Sequence, residues 1–417
     1  VDRPWLLYID EFGLPSTLRK SSMKSPLGAG AGWCLIFITS TASPAAEPTV
    51  HPTKPAYQYE FGLIRIAAAS DTETPVKDFG KETLVAAAKY LDDGALAWAG
   101  GRKCIACHTT GAYMAERPAL SAWLGPPRDE IRVHFVKAIP SELSEPQLDG
   151  GIRYYRSADR AVWCALGLAT WDKYVEGRLS EATALALREM LVRQASHGGY
   201  HVVGEVEIPY VTTDLNLSIQ AIRAIASAPG WLAHLEDPAQ LERLEKLKDF
   251  VRHTPPLNDY DRLLRLQAAS YMPQLIEPSE VTEVIKMLLD RQSPDGGWST
   301  RNFSPTDGWQ VSVSPRVKEL LDNLPDADAP ASDAYLTAFA IVLLIEHGTP
   351  LSNQQLQRGL AWLRSEQRQS GRWWMHSLYR GNYHFTTYLA TAQAMRALAM
   401  GGEFDRYLSG PAQINRP

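Results

Sequence analysis

Cysteine is scarce: the chain of 417 residues holds four. Cys34 lies in a segment that reads as removable, which leaves Cys104, Cys107 and Cys164. Three is an odd number and argues against a framework of structural disulfides. An excess of one charge sign is also missing. The 42 basic and 47 acidic residues are spread along the chain and give a net charge of -5. No basic block exists to track a phosphate backbone, which argues against nucleic acid as a partner. Long apolar runs are absent too. The best candidate, Leu27–Thr39 (LGAGAGWCLIFIT), is too short to span a bilayer comfortably. No run alternates apolar and polar residues between turn signals strongly enough to argue strand.

What is present begins with composition. Hydrophobic residues make up 45%, enough for a proper core, and twelve Trp and seventeen Tyr suggest interlocking repeats or an aromatic-lined cavity. Near the start, Met23-Lys24, the apolar run and the small residues of Ser40–Pro48 together read as a secretory signal peptide. The expected organisation is an upstream extension over 1–22 and a signal peptide over 23–45, cleaved near Ala42 or Ala45. A linker or N-terminal arm follows over 46–80, then a helical domain over 81–402 with a Cys-rich insert at 104–108, and a tail over 403–417. The expected location is outside the cytoplasm, in the periplasm or cell envelope, with no transmembrane span after cleavage.

Internal repetition is the main architectural signal. Leu187–Tyr200, Ile285–Trp298 and Leu360–Trp373 each run from an apolar helix through a Gln to a turn and an aromatic. The aromatic stands six residues after the Gln: Gln194 to Tyr200, Gln292 to Trp298, Gln367 to Trp373. Gly ends each helix in a left-handed turn, and a Gln there can bond loose backbone ends. Further apolar helices are predicted over Thr213–Ala228, Ser332–His347 and Thr386–Met400. Earlier helices are predicted over Lys81–Asp92, Ala158–Tyr174, Glu242–His253 and Tyr260–Met272. The implied fold class is all-α, an α/α toroid of helix pairs.

The Gln-to-aromatic turns, with SPDGGW (Ser293–Trp298) and LQRGLAWL (Leu356–Leu363), resemble the repeats of squalene–hopene cyclases and the related protein prenyltransferases. AAKYLDD (Ala87–Asp93) and CIACHTTGAYMAERPAL (Cys104–Leu120) are similar to an exported bacterial branch of that terpenoid cyclase-like superfamily. The resemblance implies a toroid. It does not carry cyclase chemistry, because that needs an Asp-x-Asp-Asp acid, and Asp326-Ala327-Asp328-Ala329 and Asp259-Tyr260-Asp261-Arg262 both lack the last Asp. Nor does it carry prenyltransferase chemistry, since Cys164 stands too early for the zinc-binding Asp, Cys and His.

Cys104-Ile105-Ala106-Cys107-His108 is the sharpest chemical signal. Two thiols at this spacing add to the two vinyl groups of one porphyrin, and the next His reaches the iron as its proximal ligand. Haem c is therefore the expected cofactor. The same residues also suit a redox-active disulfide, or zinc with a fourth ligand. Met114, His134, His197, His201, His376 and His384 are candidates for the far side of the iron. His197 and His201 straddle Gly198-Gly199 and read as turn residues rather than a helical metal pair. Arg117 suits a haem propionate or the charged start of a helix. The aromatic loop Trp373–Phe385, with Trp373, Trp374, His376 and His384, is the candidate wall of a central cavity. Glu205 and Glu207 are the nearest approach to a glycosidase carboxylate pair. The expected partner is a redox protein or an apolar small molecule, for example an isoprenoid held by a haem-free toroid.

Overall fold

The computed structural model describes residues 57–102, 104–105, 107–202, 213–304, 319, 323, 329–375 and 383–408, with 383–385 described through their backbone. The expectations for 1–56 therefore lie outside the described residues, as do Glu205, Glu207, Asp326, Asp328, His376 and the side chain of His384. The chain divides into two units, 1–56 and 57–417, and every described residue belongs to the second.

The second unit opens with a hairpin of β1 (Tyr57–Phe61) and β2 (Ile64–Ala67), antiparallel, where the sequence suggested a linker or N-terminal arm without strands. Helices follow: α1 (Lys81–Arg102), α2 (Ala112–Glu116), α3 (Ser121–Leu124) and α4 (Asp129–Ala138). A second hairpin pairs β3 (Gln147–Asp149) with β4 (Ile152–Tyr154). Then come α5 (Ala158–Trp171), α6 (Glu181–Val192), α7 (Asp214–Ser227), α8 (Pro238–His253), α9 (Asp259–Tyr271) and α10 (Pro278–Asp290). The described chain ends with α11 (Ala334–Glu346), α12 (Gln354–Glu366), α13 (Tyr383–Met400) and α14 (Glu403–Leu408). Both hairpins escaped the alternation test because their strands are only three to five residues long.

Among the described residues, six helices form a closed inner ring. Going round, α2 packs on α5, α5 on α7, α7 on α9, α9 on α11, α11 on α13, and α13 back on α2. The remaining long helices stand outside it, so the fold is an all-α toroid. In α11, ten of thirteen residues are buried, and in α7 thirteen of fourteen. A helix buried nearly all round belongs inside other helices. Outer helices such as α8 bury one stripe, Leu244, Leu247 and Val251, and leave the rest to water. Among the described residues, no helix is long and apolar enough to cross a membrane.

The repeated turns rivet the ring. Gln194 donates to the carbonyls of Gly198 and Arg243, at 2.6 and 2.9 Å. Gln292 does the same to Gly296 and Gln355, at 2.8 and 2.7 Å. Gln367 donates to Gly371 and Thr83, both at 2.9 Å. Each Gln thus closes its own turn and holds the next outer helix, and the last one reaches α1. The aromatics act as buried wedges. Tyr200 donates to Met190 O, Trp298 Nε1 to Leu288 O, and Trp373 Nε1 to Leu363 O.

Candidate functional site

The long helix α1 carries Trp98 and ends just before Cys104. Ile105 then turns inward and is buried, while Cys104 and Cys107 keep partial exposure. Cys107–Gly111 form a single π-helical turn that leads into α2. Such wide turns are often found at functional sites. The turn places His108 edge-on to Trp98, with ring centroids 4.7 Å apart. His108 Nδ1 shares a hydrogen bond of 2.9 Å with Thr109 Oγ1, which in turn lies 2.9 Å from the Tyr59 hydroxyl of β1. The first hairpin therefore fixes the angle of the imidazole.

Burial pulls the His108 pKa from 6.5 down to about 3, so the ring stays neutral. An unfolded chain takes up that proton near pH 6.5 while the folded chain does not. The haem-free fold should therefore lose stability as pH falls below 6.5, by at most about 1.4 kcal/mol per pH unit. Urea unfolding between roughly pH 7 and 5 should show this slope, and His108→Gln should flatten it. A variant that keeps the full slope would place the acid sensitivity elsewhere.

These contacts bear on each use of the motif. Cys104, Cys107 and Cys164 are thiols rather than halves of a disulfide. Burial pushes the Cys104 thiol up, which makes a poor attacking thiolate and weakens the disulfide reading. Among the described residues, the Cys104, Cys107 and His108 donor atoms do not converge as a zinc set. For haem the donor chemistry fits: two thiols, and a neutral imidazole whose Nδ1 is already oriented, which makes Nε2 the nitrogen for iron.

The other predicted site residues have settled roles. Met114 is fully buried against Gly167 of α5 and is a core methionine. Arg117 is buried too. It pairs with Asp92 at 3.1 Å and donates to Gly125 O at 3.0 Å, so it is an internal strut rather than a propionate partner or an exposed helix-start charge. His134 Nε2 donates to Cys104 O at 3.3 Å and braces the motif. Trp373 is fully buried as a repeat wedge, not a cavity wall, and Trp374 beside it is partly exposed. Asp261 is buried at the start of α9, accepting from Leu257 N and Thr213 Oγ1, while Asp259 pairs with Arg291. His197 and His201, read from sequence as separate turn residues, meet at Asp214.

The middle of the ring also departs from expectation. One cavity there, lined by described residues of the inner helices, measures about 50 Å³, against the roughly 300–1,000 Å³ of ordinary ligand pockets. Its walls include Cys107, Glu116, Asn216, Gln220, Arg223 and Gln267. Arg223 donates to Glu116 at 3.0 Å, Gln220 at 2.9 Å and the Tyr271 hydroxyl at 3.2 Å. The Gln267 Oε1 is buried and accepts no hydrogen bond from the described residues. Trp163, Leu264, Tyr335, Phe339 and Leu389 line it as well, so this is a narrow space of mixed polar and apolar character, and sequence reasoning missed its polar half. The signals were Gln220 and Arg223, two polar side chains inside the otherwise apolar stretch Ile219–Ile225.

The chain is similar to type II terpene cyclases. The ent-copalyl diphosphate synthase from Streptomyces platensis matches at a TM-score of 0.43 and 14% identity, over 70% of this chain and 50% of that one. The cyclase MstE from Scytonema matches at 0.42 and 14%, over 77% of this chain and 100% of that one. A variant of it in complex with geranylgeranyl dihydroxybenzoate matches at 0.41 and 14%, with the same coverage. The chain spans about half the length of the copalyl diphosphate synthase. Values of this size assign neither a family nor an activity. No family profile matches the chain, and no curated protein matches it.

Proposed function

We propose that this protein is an exported helical toroid that carries one c-type haem on Cys104 and Cys107, with His108 as its axial ligand, and serves in electron transfer. The observation that carries the reading is the His108 imidazole, neutral and held through Nδ1 by Thr109, which Tyr59 steadies in turn, directly beside two partly exposed thiols. A bound haem would supply one-electron exchange. The chain's own part is to tether through the two thiols, to orient the ring by the Thr109 bond, and to brace it edge-on with Trp98. A haem-free toroid holding an apolar ligand has less support, because the cavity beside Cys107 is small and carries the Arg223 and Glu116 charges in its walls. Protonation-driven cyclisation is not proposed, because the sequence has no Asp-x-Asp-Asp.

The test is expression of the chain with a haem-attachment system. The expected result is a Soret band that sharpens on reduction, a denaturation-resistant haem stain, and loss of both in Cys107→Ser. A folded protein with no Soret band sinks the proposal.

A further inference from the structure

The turn after α6 brings together groups that the haem reading does not use. Gly198 adopts φ +92 and swings His197 and His201 towards the start of α7. His197 Nε2 lies 2.8 Å from Asp214 Oδ2, and His201 Nδ1 lies 2.9 Å from the same oxygen. One donor atom from each of the three residues lies within 4.8 Å of the others. The carboxylate is fixed, since its Oδ1 accepts from Val202 N at 2.9 Å. His201 is oriented from behind, with Nε2 3.2 Å from Asp149 Oδ2 at the end of β3. The His197 ring stacks on Phe250 at 4.6 Å, and Tyr154 packs on His201 at 5.0 Å. Asp214 is buried, while both histidines keep partial access to solvent.

We propose that His197, His201 and Asp214 bind one divalent first-row transition ion, with zinc as the natural probe. Two imidazoles and one carboxylate, with a position left for water, are a donor set such ions use. Asp149 would then play the outer carboxylate that orients a ligating histidine and raises its basicity. Without metal, each ring N–H donates a hydrogen bond to the shared Asp214 oxygen, so the ion competes with protons for the ring nitrogens. Gly199 N donates to His197 Nδ1 at 3.0 Å, and ligation through Nε2 gives up that single bond as the ring proton moves to Nδ1. Uptake should therefore release protons and weaken as pH falls.

The experiment is calorimetric titration of zinc into chelator-stripped full-length protein carrying Cys104→Ser and Cys107→Ser, which removes the competing thiols and makes the outcome independent of haem. One ion per chain is expected. Binding should weaken at least about 100-fold in His201→Ala, and about 10- to 100-fold in Asp149→Asn, whose residue lies largely in solvent. Far-UV circular dichroism checks that each variant is folded. If His201→Ala does not fold, Asp149→Asn carries the test. No uptake by the folded parent, or unchanged affinity in every folded variant, overturns the proposal.

Discussion

Gly371→Ala is expected to cost about 3 kcal/mol or more of folding stability, a left-handed strain of about 1–2 kcal/mol adding to overpacking of about 1–3 kcal/mol. Gly371 sits at φ +89, and a Cβ there would lie 2.5 Å from Ala87 N and 2.6 Å from Ala86 C. Those atoms are backbone of α1 and cannot rotate aside. The turn is also where the last repeat clasps the first: Gln367 holds Thr83 O, Val76 N donates to Gln367 O, and Arg372 pairs with Glu73 at 2.9 Å. Gly402→Ala is the control. Its φ is +85, but a Cβ would meet nothing within 4 Å, so it should lose only the conformational part, about 1–2 kcal/mol. Denaturant unfolding of the two variants measures the difference. Equal losses would show that the contact with α1 adds nothing.

Arg223→Met should destabilise the toroid by about 3–5 kcal/mol, because it leaves the Glu116 carboxylate buried without its cation. Both side chains are 11% exposed and 3.0 Å apart. Arg396 also feels the charge of Glu116, which favours the lower end of that range. Adding Glu116→Gln to Arg223→Met should recover part of the loss. The double-mutant cycle should give a coupling of about 1–3 kcal/mol. Strictly additive losses would mean that the two side chains act separately.

The repeat was legible in the sequence because it rests on local chemistry: a Gln, a glycine turn and an aromatic at fixed spacing. That gave the helix pairs and the toroid. The second bond of each Gln was not legible, since its acceptors, Arg243, Gln355 and Thr83, belong to other helices. The CxxCH motif was plain, but Tyr59, which steadies His108 through Thr109, precedes the motif by some fifty residues. Glu116 and Arg223 are separated by 107 positions, so no window along the chain could pair them. His197 and His201 misled for a local reason. The two glycines between them break helical spacing, yet the same turn aims both rings at Asp214. Trp373 looked like a cavity wall because it begins an aromatic-rich loop, but it obeys the repeat instead, donating to Leu363 O as Trp298 does to Leu288 O.

The bond from Gln367 to Thr83 spans 284 positions. An array with two open ends can fray from either one, unit by unit. This molecule has no such end among its described helix pairs, so losing any pair opens the whole circle. During synthesis α1 is made early and waits for the residues that lock it, a long interval in which its apolar face lacks its final cover. Contacts so distant along the chain slow folding and expose intermediates to aggregation. Removing α12 and α13 should therefore leave no smaller stable circle behind, only a chain unable to shut.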